Sequence, residues 1–99
     1  MHDDAVTVAP DIHKLVYDDE QLRILDIHVP PGAKADMHRH PRNITYILKG
    51  GTMQFTDTAG KTTDKTFHDG QTVHMPETSH AVENIGSTEV HAIQIEFKK

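Results

Sequence analysis

The stretch GAKADMHRHPRNITYILKGG, residues 32–51, decides how this chain folds. Glycines stand at both of its ends, and His38 and His40 lie one residue apart in its middle. Residues 44–48, which follow, are β-branched, aromatic or aliphatic and favour a strand. Two imidazoles on one side of a strand raise the question of which other group completes a site with them.

The composition bounds the size and the partners of the protein. Its 99 residues and 11.1 kDa suit one small domain over residues 1–99, and only 35% of them are hydrophobic. Because so modest a core gains from burial against a second copy, we expect a homodimer. The net charge of −5 argues against nucleic acid as a partner. No apolar run approaches the roughly 18 residues of a membrane span, so no membrane partner is expected.

The first ten residues and the cysteine count bear on location. MHDDAVTVAP has neither the basic nor the apolar region of a secretory signal, so we expect a cytoplasmic protein. We also expect residues 1–10 to be a loosely held arm or to add a strand to a partner. The chain has no cysteine, which excludes disulfides and thiolate ligands. Histidine is abundant instead, with nine residues spread from His2 to His91.

Short alternating or β-branched runs fill the chain, and amphipathic helical periodicity is hard to find. Strands are predicted over residues 12–17, 22–29, 43–49, 52–56, 62–67, 71–75 and 90–97. In the last of these, His91, Ile93, Ile95 and Phe97 share one face. Glycine, proline, asparagine and aspartate mark turns between the runs. Many short strands at this spacing predict an all-β barrel or sandwich.

The H-x-H pair has the geometry of a partial metal site. On a strand, His38 and His40 project from the same face, about 6.6 Å apart at the backbone. Rings that converge from there can bring two nitrogens to about 2.0–2.1 Å from one ion. The pair is therefore two thirds of a three-histidine centre.

Two wider patterns contain these histidines. Gly32, His38, His40 and a glycine at position 50 or 51 resemble the first cupin motif, G-x5-H-x-H-x(3,4)-E-x6-G. Residues 70–84, with Pro76, His80 and Asn84 in place, resemble the second, G-x5-P-x-G-x2-H-x3-N. The chain thus resembles a small single-domain cupin, which implies a jelly-roll barrel, also called a double-stranded β-helix. The resemblance implies a divalent transition metal (Fe, Zn, Cu, Ni or Mn) held by His38, His40 and His80.

The chain departs from both motifs. The family glutamate is absent, because Ile44 or Asn43 stands at its position, depending on which glycine is counted from. The second motif is one residue short, although the spacing from His80 to Asn84 is intact. Asn43 is therefore a candidate fourth ligand. Three neutral imidazoles would leave the ion its full charge, and imidazole alone does not select the metal.

The remaining histidines receive other assignments. His74, two residues before Pro76, is a candidate for supporting a metal ligand or for facing the substrate, because imidazole can shuttle protons near neutrality. His28 and His91 are expected to make ordinary polar contacts or to line an interface. His2, His13 and His68 are expected at the surface. The amide of Asn84 is expected to tie down the turn that carries Gly86.

Three functions remain open from the sequence. The resemblance favours an iron-dependent, dioxygenase-like enzyme acting on a small molecule in the barrel. A zinc enzyme of the hydrolytic or hydration type is the alternative, because three histidines lower the pKa of zinc-bound water toward about 7. A non-catalytic module that binds a metal or a small ligand is the third.

Overall fold

The computed structural model of the protein describes residues 3–98, which form two antiparallel sheets and one short helix. The elements are α1 (Ala5–Val8), β1 (His13–Asp18), β2 (Leu22–Val29), β3 (Lys34–His40), β4 (Asn43–Lys49), β5 (Gly51–Thr56), β6 (Thr62–Phe67), β7 (Thr72–Met75), β8 (Thr78–Asn84) and β9 (Val90–Phe97). One sheet has the order β1-β2-β9-β4-β7 and the other β3-β8-β5-β6. This confirms the predicted all-β jelly-roll architecture.

Four of the predicted strands, β2, β4, β6 and β9, have the bounds read from the sequence, and three others agree within one residue. The strand prediction omitted β3 and β8. Both carry histidine or asparagine at inward positions where other strands carry aliphatic residues. They therefore lack the apolar alternation by which a half-buried strand is recognised.

The core lies between the two sheets. Its buried apolar residues come from both sheets and from the N-terminal segment: Ala5, Ala9, Ile12, Leu25, Ile27, Val29, Ala35, Ile47, Met53, Val82, Val90 and Ala92. In β9 the inward positions alternate with an outward face of His91, Ile93, Ile95 and Phe97. The more apolar face of β9 thus points away from the core, while Gln94 and Glu96 point into it.

The N-terminal segment packs on its own barrel. Ala5 in α1 is fully buried, and Asp4 forms a parallel bridge with Arg39 of β3. The arm expected over residues 1–10 includes Met1 and His2, which lie outside the described residues, so the surface position expected for His2 does too. Exchange of this segment between two copies stays a prediction. Among the described residues, no helix is long and apolar enough to cross a membrane.

Two turns show why particular residues stand there. A Cβ on Gly50 would lie 2.1 Å from the carbonyl oxygen of Phe67, so only glycine fits between β4 and β5. Asn84 accepts a hydrogen bond from the backbone N–H of Gly86 at 2.9 Å. Its amide also donates to the carbonyls of Val29 and Thr88, each at 2.8 Å. The predicted structural role of Asn84 is confirmed.

Candidate metal centre

Four histidines meet inside the barrel, and we call them the inner cluster: His13 of β1, His38 and His40 of β3, and His80 of β8. All four are buried. His38 and His80 are direct cross-strand partners, and their ring centroids lie 4.9 Å apart. The ring of His40 lies 4.8 Å from that of His38 and 5.2 Å from that of His80.

Three members of the cluster are anchored through Nδ1. The Nδ1 of His13 lies 3.2 Å from the carbonyl oxygen of Ala9, and that of His38 lies 2.7 Å from the carbonyl oxygen of Asp36. The Nδ1 of His40 lies 2.5 Å from Oε2 of Glu96. Carbonyls and an ionised carboxylate only accept hydrogen bonds, so each Nδ1 carries the proton. Each Nε2 is then left with a lone pair.

The Nε2 atoms of His38 and His40 lie 3.1 Å apart. When both rings are neutral with their protons on Nδ1, two lone pairs face each other, and either a second proton on His40, balanced by Glu96, or a metal cation would relieve their repulsion. Two nitrogens bound to one ion at about 2.1 Å, with angles of 90–109°, lie about 3.0–3.4 Å apart. The separation therefore fits a cation between the two rings.

The structure adds His13 to the site, which corrects the expectation that it lies at the surface. One ring nitrogen from each of His13, His38 and His40 lies within 4.8 Å of the others, so these residues form a three-histidine group. His80, the third ligand expected from the motifs, borders the group through its ring but does not meet this criterion with its nitrogens. His13 precedes the motif region, so no sequence pattern pointed to it.

A carboxylate does stand beside the centre, on a strand where the motifs place none. Glu96 of β9 is the cross-strand partner of Asn43, which is one of the two positions aligned with the family glutamate. Its Oε2 accepts from His40, and its Oε1 accepts from Nε of Arg23 at 2.5 Å. Arg23 in turn pairs with Asp4 at 2.8 Å. Glu96 thus holds a ring in place and is not aimed at the centre itself.

The structure does not place Asn43 and His74 in the surroundings that a fourth ligand and a substrate-facing or supporting group would need. Asn43 is fully buried, but its Oδ1 already accepts from Thr45 Oγ1 at 3.1 Å and lies 3.4 Å from Gln94 Nε2. His74 is exposed on β7, where its Nε2 lies 3.4 Å from Arg42 Nη1. The structure therefore separates His74 from the inner cluster, and the supporting group is Glu96.

Burial favours the neutral form of His13, His38 and His80. Burial, with repulsion from His40 and His38, lowers the pKa of His80 to about 3. The same causes lower the pKa of His13 to about 4, and burial lowers the pKa of His38. Burial alone would raise the pKa of Glu96, but hydrogen bonds and charge from His40 and Arg23 lower it overall. Neutral imidazole is the form that binds metals.

An apolar cavity of about 90 Å³ adjoins the inner cluster. All four histidines line it, together with aliphatic and aromatic side chains from both sheets. The other polar side chains in its wall are Thr45 and Gln94. His80, Phe55 and Met75 also line a groove on the outer surface beside Lys61 and Lys65.

Comparison with known proteins supports the fold. The Cupin domain family profile matches residues 25–96. A cupin domain from Bordetella pertussis superposes with a TM-score of 0.81 at 24% identity, covering 89% of this chain and 93% of that chain. An RmlC-like cupin family protein from Methanocaldococcus jannaschii superposes with a TM-score of 0.67 at 19% identity, covering 87% and 78%.

A third similar structure is a protein with a double-stranded β-helix domain from Klebsiella pneumoniae. It has a TM-score of 0.66 at 18% identity, and the alignment covers 85% of this chain and 73% of that chain. No curated protein matches the chain. At these identities the structural matches establish the fold alone.

Proposed function

The chain belongs to the cupin family, and on that premise we propose that its inner cluster binds one divalent transition metal ion. The ligands we propose are His38, His40 and His80, as the motifs imply, with His13 as the fourth. We further propose an oxygen-using oxidoreductase, similar to an iron-dependent dioxygenase, that acts on a small molecule in the apolar cavity.

One observation carries the metal proposal. The Nε2 atoms of His38 and His40 lie 3.1 Å apart although hydrogen-bond acceptors hold both protons on Nδ1. Between two neutral rings such an arrangement is repulsive, and a metal ion between the two Nε2 atoms would turn the repulsion into two ligand bonds. Anchoring a ligand imidazole through its second nitrogen, to a carbonyl or a carboxylate, is also the usual support of a metal-binding histidine. A set of imidazole nitrogens therefore fits transition metals such as Zn, Cu, Fe and Ni, whose preference lies between hard and soft ligands.

The number of histidines helps to rank the reactions. Four imidazoles would fill the four positions that zinc usually takes, which leaves none for the water of a hydrolytic zinc enzyme. Iron(II) accepts about six ligands, so about two positions would stay open. The zinc hydrolase is thus the weaker candidate. When bound, iron supplies a redox-active, Lewis-acidic centre.

The chain's own residues would bind the substrate, orient the ligands and exclude water. The apolar cavity wall keeps bulk water from the centre, which strengthens electrostatic interactions there. Glu96 fixes the ring of His40 and balances part of the positive charge. Among the described residues lining the cavity there is no carboxylate, and the histidines there are the proposed metal ligands, so we expect no side chain of the wall to act as a general base.

The experiment combines metal content with oxygen consumption. Protein loaded in turn with iron(II), zinc, copper, nickel and manganese is analysed for bound metal, and oxygen uptake is recorded with small β-diketones, thiols and catechols. We expect about one ion per chain and uptake with iron alone. His38→Ala should weaken metal binding and reduce oxygen uptake, whereas His68→Ala, at an exposed position, should change neither. Metal affinity in His38→Ala equal to that of the parent would refute the proposed centre.

A non-catalytic metal-binding module is the second candidate, and the four-histidine count favours it. With zinc the four imidazoles would complete a closed site of the structural type. Tight zinc binding without oxygen uptake under iron would select this function. If His80→Ala or His13→Ala then opened a position for an added anion such as azide, visible in the absorption spectrum of the cobalt form, the closed site would be established.

We also propose a homodimer. One part of the outer face of the larger sheet has apolar cross-strand neighbours, with Ile95 opposite both Ile24 and Ile44, and Tyr46 opposite Ile93. A second copy could cover this face. Light scattering after size exclusion should give twice 11.1 kDa for the parent and a monomer for Ile95→Lys. A cytoplasmic location also stays a prediction, consistent with a chain that has no cysteine.

A further inference from the structure

The cavity contains one polar atom that its surroundings leave without a partner. Gln94 is buried, and no described residue donates a hydrogen bond to its Oε1. It is the one buried side-chain oxygen or nitrogen among the described residues in this condition. Buried polar atoms in folded proteins are nearly always paired, so this one calls for an explanation.

A chain of hydrogen bonds fixes which end of the Gln94 amide is left free. The amide nitrogen of Asn43 donates to the carbonyl of Pro41 at 3.0 Å, so Oδ1 of Asn43 is its acceptor end. Thr45 Oγ1 donates to that Oδ1 at 3.1 Å, and its lone pairs then accept from Nε2 of Gln94 at 3.1 Å. Turning the Gln94 amide over would leave its two N–H donors unpaired instead.

Gln94 lies near the proposed centre but on a separate part of the cavity wall. It is two residues from Glu96 on β9, which places it one inward position, about 7 Å, along the strand from the residue that holds His40. Thr45, directly across from it on β4, is the other polar neighbour. A guest of a few non-hydrogen atoms could therefore lie between the histidines and this acceptor.

The rest of the cavity wall narrows the guest's chemistry. The wall is apolar apart from the histidines, Thr45 and Gln94, so a charged group that lies away from the proposed metal ion would lose its hydration without a counterion. A volume of about 90 Å³ is several times the roughly 10–15 Å³ that one water requires, so the cavity has room for a guest of several non-hydrogen atoms. The site thus suits a small, uncharged, largely hydrocarbon molecule.

We propose that Gln94 is a specificity-determining residue, whose Oε1 accepts a hydrogen bond from an O–H or N–H of such a substrate. This inference rests on the proposed function, because it makes the guest of the cavity the substrate of the metal centre. Gln94 would select, among small apolar molecules, those that carry one hydrogen-bond donor. An analogue that lacks the donor leaves the acceptor unpaired and is rejected.

Pyrrole and furan form a matched pair of probes, because these flat five-membered rings differ mainly in that pyrrole has an N–H donor. Their binding to the full chain, with and without metal, is measured by amide chemical-shift titration, and xenon reports on the apolar cavity itself. We expect pyrrole to bind roughly three- to tenfold more tightly than furan, the effect of one neutral hydrogen bond. Gln94→Met should remove the preference and keep xenon binding.

Gln54→Met, on β5 outside the cavity wall, is the matched control and should keep the preference. Equal affinities for pyrrole and furan in the parent would overturn the inference and leave a trapped water as the partner of Oε1. A preference that survives in Gln94→Met would overturn it as well. Since the metal-free chain suffices for the titration, a pyrrole preference without metal binding would refute the metal centre and leave the acceptor role standing.

Discussion

The protein carries a second histidine cluster, and it differs from the inner one in what its nitrogens contact. This outer cluster, at the surface of the larger sheet, consists of Asp26, His28, Glu89 and His91. His28 contacts Glu89 at 3.1 Å and Asp26 at 3.4 Å, and His91 contacts Asp26 at 2.7 Å. The two rings stack with centroids 3.9 Å apart.

Distances alone do not separate the two clusters. In each, ligand atoms of three residues lie within 4.8 Å of one another. In the outer cluster, however, carboxylates take up the imidazole nitrogens that face them, and their charge raises the pKa of His28, led by the bond to Glu89. In the inner cluster burial lowers the pKa of His13, His38 and His80, which favours rings with a free lone pair. The partners of the nitrogens, more than their proximity, distinguish a metal centre from a surface ion-pair network.

The largest expected contrast comes from the same substitution in each cluster. His40→Ala removes a proposed ligand and also the buried partner of Glu96, so unfolding free energy should fall by about 3 kcal/mol even without metal. His91→Ala breaks only a partly exposed contact and should cost less than about 1 kcal/mol. Urea denaturation of both metal-free variants measures the difference. Equal losses would mean that burial does not set the two clusters apart.

Acid should destabilise the metal-free protein through the inner cluster. His13 and His80 have folded pKa values of about 4 and about 3, against about 6.5 when unfolded, so the unfolded state binds more protons between these limits. The stabilisation that neutral His13 and His80 contribute is therefore complete above about pH 6.5 and is lost as the pH falls toward their folded pKa values. At pH 5, about 1.5 units below the unfolded pKa, each of these two histidines should lower the free energy of unfolding by about 2 kcal/mol, at about 1.4 kcal/mol per pH unit.

Urea titrations at half-unit steps from pH 7.5 to 5 measure this loss, and His80→Gln should remove about half of it. The raised pKa of His28 acts in the opposite direction. Its stabilisation is complete below pH 6.5 and is lost as pH rises through the folded pKa. A parent protein that is equally stable at pH 7.5 and pH 5 would contradict the neutral, buried state of the inner cluster.

Glu96→Gln tests whether the carboxylate of Glu96 strengthens metal binding by the inner cluster. The amide keeps the size of the side chain but loses the charge that makes His40 a stronger ligand, so metal affinity should drop about 10- to 100-fold. Asp26→Asn is the matched change in the outer cluster and should leave metal affinity unchanged. Competition with a chromophoric chelator measures both. A loss of affinity in Asp26→Asn would indicate that the outer cluster also binds the ion.

The smallest effect is expected from salt acting on the outer cluster. Its contacts are partly exposed, so 1 M NaCl should screen them and change unfolding free energy by less than about 1 kcal/mol. His28→Gln should remove that salt dependence. The histidines of the inner cluster are buried, so we expect no comparable effect of salt on their contacts. A large salt effect that survives in His28→Gln would place the sensitive charges elsewhere.

The motifs on β3 and β8 predicted much of the fold and three of the four histidines of the inner cluster. His38, His40 and His80 could be read because short, fixed spacings along the chain encode them. His13 and Glu96 could not, because each reaches the cluster through pairing between distant segments; Glu96 lies 56 residues from His40. In β9 the apolar residues Ile93 and Ile95 point outward, which concealed the inward role of its polar positions.

The N-terminal segment has a consequence for the behaviour of the chain at high concentration. β3 pairs with β8 on one side only, and its other side would present free backbone groups to any passing strand. The carbonyl of Asp3 accepts from the N–H of Arg39 at 2.6 Å, and Asp4 bridges to the same residue. Such a covered edge resists aggregation by strand addition. A variant that lacks residues 1–9 should expose this edge and precipitate at concentrations at which the full chain stays in solution.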